Sequence, residues 1–272
     1  MQNKRVMRRT LLPAFALAAA FVVPAGAALA APSNAAPAYT CSGGDFGTGS
    51  FTTIPSGTYA SITVVGVCNI EPDAVINVIG NINVAPGAVL DAQSAPSTIT
   101  VGHNITAAAG SLLGLGCQPS NAIGRFAGVP CAADPTGRTT ITVGGNITAS
   151  DANTVLIRKV TVGGNVALSG GGGDIPWSIK GNTIGRNLTI SNVAADWLGV
   201  QFNWIAGNAV LSNITALDPG DPGRTVAVVE NIVGNNLNCS GNAPFVGDGH
   251  FNGLNPVGHK ATGQCAAISV PL

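Results

Sequence analysis

The chain has 272 residues, 12 Lys/Arg against 12 Asp/Glu, 9% charged and 5% aromatic residues, and 37 glycines. Four of the basic residues, Lys4, Arg5, Arg8 and Arg9, stand at the start, so the remainder carries eight Lys/Arg against twelve Asp/Glu, a net charge near −4. A mildly acidic chain without a basic run excludes a nucleic-acid face built of cations and aromatics, and it excludes a polybasic membrane anchor.

Residues 1–30 read as a secretory signal peptide: a basic n-region, an apolar stretch over residues 11–23, and the A-x-A site Ala28-Leu29-Ala30. The apolar stretch is too short for a retained span, so no transmembrane segment is expected in the mature chain. Residues 31–40 are expected to be a disordered mature N-terminus, and residues 41–272 a single domain. Six cysteines follow, Cys41, Cys68, Cys117, Cys131, Cys239 and Cys265. An even number in an exported chain reads as disulfides. Neighbour pairing, Cys41–Cys68, Cys117–Cys131 and Cys239–Cys265, is preferred, for a reason that comes from the repeat.

The stretch TVGGN occurs at residues 142–146 and again at 161–165. Its asparagine recurs at Asn81, Asn104, Asn146, Asn165, Asn187, Asn208 and Asn236, mostly 19 to 28 positions apart. The one interval of 42, between Asn104 and Asn146, reads as two periods with one motif lost, and a Cys117–Cys131 bridge is expected to tie off the insertion that interrupts the third rung. Three positions before the asparagine stand Val78, Val101, Val143, Val162, Ile184, Ile205 and Val233. One position after it stand Ile82, Ile105, Ile147, Val166, Leu188, Ala209 and Leu237. The flanking columns are mostly polar, with Thr100, Thr142, Thr161 and Thr183 on one side and Thr106, Thr148 and Thr189 on the other. Alternation with period two makes strands, valines inward and threonines outward.

A unit of about twenty residues whose strands meet at Gly and Asn corners predicts one rung of a parallel β-helix. The fold class is therefore all-β, a single-domain right-handed parallel β-helix of about eight rungs with disulfide-closed end caps. The repeated asparagines are expected to stack as an amide ladder. Residues 41–70 read as the N-terminal cap and residues 239–265 as the C-terminal cap loop, which is why each pair of neighbouring cysteines is expected to close its own segment.

The segment CSGG at residues 41–44, the VGGN rungs, and the tail NNLNCSGNAPFVGDGHFNGLNPVGHKATGQC ending at Cys265 resemble secreted β-helix proteins of actinobacteria. The resemblance implies fold and export, and it brings no catalytic residues with it. The rungs are also similar to bactofilins, from which a signal peptide and disulfides set this chain apart.

Function is read from sites, not from the fold. Pectin-type lyases and hydrolases share this class of fold and need paired carboxylates. Here the acids Asp151, Asp174, Asp196 and Glu230 are isolated in sequence. Asp248, His250 and His259 have the composition of metal ligands but no fixed spacing, so no metal and no cofactor is expected. Trp177, Trp197, Phe202 and Trp204, with Lys180 and Gln201, are concentrated within two rungs. They are the candidate binding surface, an aromatic strip able to stack on sugar rings. The expectation is a secreted, non-enzymatic structural or binding module at the cell surface or in the extracellular space, with an envelope or extracellular polysaccharide as partner. The alternative is a polysaccharide lyase or glycoside hydrolase.

Overall fold

The computed structural model describes residues 35–120, 130–217, 225–245 and 253–272. The expected signal peptide lies outside the described residues, as do Asp248 and His250. Among the described residues the chain winds through three long parallel sheets in turn. The first sheet has ten strands, from Ala38–Cys41 to Ala261–Gly263. The second has eight, from Thr52–Ile54 to Val226–Val229. The third has ten, from Gly57–Tyr59 to Ser269–Pro271. Eight rungs contain a strand in all three sheets, which makes the molecule a parallel β-helix. No helix among the described residues is long and apolar enough to cross a membrane.

The two inward columns read from the sequence are buried throughout, from Val78 and Ile82 to Val233 and Leu237. The neighbouring positions face outward. In register, Val143 lies between Val101 and Val162, and Ile147 between Ile105 and Val166. Small branched side chains suit this interior because rungs stack at about 4.8 Å, too close for large rings in every layer.

Corners need a left-handed backbone. Between the first and second sheets it is supplied by Asp151, Gly170, Asn192, Asn213 and Gly241 (φ 53° to 66°). Between the second and third it falls on Lys159, Gly181, Phe202 and Glu230 (φ 49° to 67°). Between the third and first runs the expected ladder. From Asn104 to Asn236, each asparagine donates its backbone N–H and its Nδ2 to the Oδ1 of the preceding one, at 2.8–3.2 Å.

Three expectations need correction. Asn104 and Asn146 are on adjacent rungs: Val101 pairs with Val143 and Ile105 with Ile147. The interval of 42 is thus one rung carrying an insertion, not two periods. Cys117 and Cys131, bonded with their Cα atoms 5.0 Å apart, staple the base of that excursion so the chain re-enters the next rung in register.

Order begins before Cys41. Ala38–Cys41 is already a strand, paired with Ser61–Val64, because backbone pairing does not depend on the disulfide. Residues 41–70 are also not a separate cap. They supply strands to all three sheets, and the Cys41–Cys68 bond crosses from the first sheet to the second.

The C-terminal end closes differently. Leu237–Ser240 and Ala261–Gly263 continue the first sheet, and the 3-10 turn Gln264–Ile268 then crosses the end of the column. Gln264 accepts the Asn242 N–H through Oε1 and donates Nε2 to the Asn242 carbonyl. A side chain thereby satisfies backbone groups that another rung would otherwise pair. Cys265 is tied to Cys239 beneath this turn.

Candidate functional site

The expected aromatic strip does not form. Strand parity decides the matter. In Trp177–Lys180, Ile179 faces the core, so Trp177 does too. Trp177 is 0% exposed, pairs with Leu198, and donates its indole N–H to the Asn153 carbonyl at 3.0 Å. Trp204 is 49% exposed but lies on the third sheet, between Thr183 and Ile232. The other four do gather on the outer side of the second sheet. Gln201 pairs with Lys180 and is buried to 9% exposure. The Lys180 Nζ sits 5.6 Å from the Phe202 ring centroid. The half-buried Trp197 ring lies over Gly199, where a Cβ would come within 2.6 Å of it.

A concavity lies elsewhere. An open groove of about 720 Å³ runs beside the surface asparagine ladder. One wall is the ladder itself: Asn146, Asn165, Asn187, Asn208 and Asn236. The other is an outward column of the first sheet: Thr148, Ala167, Thr189, Val210, Asn238 and Thr262. These six are in register on successive strands. The groove therefore follows the axis for five rung steps, roughly 24 Å at the strand spacing. Its lining carries amides, hydroxyls and small aliphatic groups, and no ionisable side chain.

The hydrogen bonding of the ladder matters for chemistry. From Asn81 to Asn208, each Oδ1 accepts two N–H groups. Each Nδ2 has two hydrogens and spends one on its neighbour. A second, buried ladder shows the contrast. Asn182, Asn203, Asn231 and Asn255 stack at the corner between the second and third sheets, all at most 1% exposed. There the second hydrogen is also used, by the carbonyls of Ile157, Ile179 and Val200. Among the described residues the surface ladder has no such acceptor, so one amide N–H per rung is left at the groove wall.

The sequence contained both ladders. The surface ladder and the polar column beside it were legible in the alignment. The groove was not, because a column of residues in register does not by itself fix how deep the surface lies between it and the ladder. The buried ladder was missed because its residues follow Gly181, Phe202 and Glu230, which share a backbone conformation and no chemistry.

Among the described residues, no three or more His, Cys, Asp or Glu side chains come together as a metal site. Comparison with protein-family models, with curated proteins and with solved structures found no match.

Proposed function

We propose that the protein is a secreted, non-enzymatic binding module of the cell surface or extracellular space, and that it holds a neutral polysaccharide extended along the groove. One observation carries this reading: a continuous wall of amides and hydroxyls, in register over five rung steps, with no charge. Neutral sugars present hydroxyls that both donate and accept, and the free amide N–H groups and threonine hydroxyls answer them. Ala167 and Val210 offer apolar patches to the C–H faces of a sugar ring. The wall is held by a hydrogen-bonded ladder on a parallel sheet, so little ordering is needed on binding.

Three disulfides suit an oxidising compartment and support the extracellular placement. Glycoside hydrolysis would require two carboxylates flanking the bond, and none lines the groove. The test is calorimetric titration of the purified protein with a panel of neutral plant and envelope polysaccharides, with reducing ends assayed in parallel. Binding of at least one, without new reducing ends, supports the reading. Failure of all, or release of reducing ends, overturns it.

A further inference from the structure

The groove wall on the first sheet has a pattern of its own. Its outward column runs, in register, Thr148, Ala167, Thr189, Val210, Asn238. A hydroxyl or amide on the first, third and fifth rungs alternates with an apolar side chain on the second and fourth. The alternation stops at both ends, where Thr106 precedes it and Thr262 follows it. Two residues further along the same strands, and so on the same outward face, stands a column of serines: Ser150, Ser169, Ser191, Ser212 and Ser240. It occupies the same five rungs. Ala108 takes the place on the rung before, after Ala107, and Gln264 on the rung after, following Gly263. None of the five serine hydroxyls has a hydrogen-bond partner among the described residues.

Five rungs therefore carry three parallel lines: the amide ladder, the alternating column and the serines. The two outer lines repeat at every rung and the middle one at every second rung. They also differ in chemistry, since the outer lines offer hydrogen bonds throughout and the middle one offers them only at alternate steps. A pyranose chain joined through equatorial 1,4 bonds has both periods. It is a straight ribbon that advances by about one rung per sugar and carries hydroxyls along both edges. Its successive sugars are related by a half-turn, so a fixed line along it meets the same group at every second sugar. Chains linked α-1,4 or β-1,3 coil, and they keep no such line over five residues. The ladder and the serines stand four residues apart along the strand, at most roughly 13 Å, a width that a sugar ring with a hydrogen bond at each edge spans.

We propose that the groove selects a β-1,4-linked neutral glycan and holds five of its sugars, one on each rung from Thr148 to Asn238. This rests on the reading of the groove as a neutral-polysaccharide site and names the linkage it takes. The ladder N–H groups bond one edge of the ribbon and the serine hydroxyls the other. Ala167 and Val210 lie against the C–H groups of the second and fourth sugars, while Thr148, Thr189 and Asn238 bond the first, third and fifth. Because all three lines are fixed by strand register, a coiled chain would have to straighten before it could use them, at a cost in affinity.

The experiment is titration calorimetry with neutral oligosaccharides of increasing length: cello- and manno-oligosaccharides, linked β-1,4; malto-oligosaccharides, linked α-1,4; and laminari-oligosaccharides, linked β-1,3. At least one β-1,4 series should bind, with affinity rising up to about five sugars and level beyond. The other two linkages should bind about tenfold more weakly or worse at equal length, the loss of more than one hydrogen bond. For the tightest β-1,4 ligand, Ser191→Ala combined with Ser212→Ala should cost about tenfold, and Val210→Thr, which sets a hydroxyl against C–H groups, about threefold. Thr63→Val, on the same outward column but outside the five rungs, should bind like the parent. The linkage assignment is overturned, with the groove reading left standing, by any of four results. These are a malto or laminari series that binds as tightly as the β-1,4 series, a β-1,4 affinity that is already level at two sugars, parent-like binding by the double serine variant, and binding of some other neutral polysaccharide when neither β-1,4 series binds. Absence of binding to every neutral polysaccharide overturns both.

Discussion

Asn165 lies 19 residues after Asn146 and directly above it: its Nδ2 and its backbone N–H both donate to the Oδ1 of Asn146, at 3.1 and 2.8 Å. The same pair of bonds recurs at Asn187 on Asn165. One amide thus satisfies a corner of the rung above while its own corner is satisfied from below.

The two ladders should differ in what they contribute. Asn203→Ala would strand Asn182 and Asn231 in a dry corner, where Asn203 alone makes bonds to Ile179, Asn182 and Asn231. Each unsatisfied buried group costs about 1–3 kcal/mol, so this variant should lose several kcal/mol. Asn165→Ala sits at the groove, where water replaces the lost partners, and should lose about 1 kcal/mol. Denaturant midpoints under non-reducing conditions should rank them in that order, and equal losses would mean that both corners are equally wet.

Inward and outward faces separate just as sharply. Val143 is 0% exposed between Val101 and Val162, whereas Thr142 beside it faces solvent. Val143→Asp buries an unpaired carboxylate and should prevent folding, a penalty of several kcal/mol. Thr142→Asp should fold with only a loss of strand propensity. Circular dichroism of the two purified variants decides it.

Trp177 belongs to the core and should behave that way. Trp177→Ala leaves a large cavity and frees the Asn153 carbonyl, and it should cost about 3–5 kcal/mol. Trp204→Ala, on an exposed face, should change stability by about 0.5 kcal/mol or less. Thermal melts of the two variants check the contrast.

The C-terminal bridge should stabilise through the loop it closes. Cys239 and Cys265 are 26 positions apart, so replacing both by Ser should lose about 3–4 kcal/mol. An unchanged denaturant midpoint would mean that the Gln264–Asn242 bonds close this end without help.

How much of this was readable in advance depended on whether chemistry or geometry held the information. Val143 and Thr142 announce their faces by alternation alone, and Asn146 and Asn165 announce a ladder by recurrence. Trp177 was misplaced because a local density of rings suggested a surface, although its spacing from Ile179 already put it inside. The Asn104–Asn146 interval was misread because an insertion and an additional rung have the same length in sequence, and only the pairing of Val101 with Val143 separates them. The groove required the depth of the surface between the ladder and the outward column beside it, which no column of residues specifies.

The central claim is that the groove beside Asn165 holds a neutral polysaccharide without cleaving it. The direct measurement compares Thr189→Arg, which fills the groove, with Thr161→Arg, the same change on the outer face of the third sheet, by calorimetric titration with the neutral polysaccharide that the parent protein binds. The account predicts at least about a tenfold loss of affinity for Thr189→Arg, the loss of more than one hydrogen bond, parent-like binding for Thr161→Arg, and no reducing ends from either. Parent-like binding by Thr189→Arg, or reducing ends released by the parent protein, would contradict it.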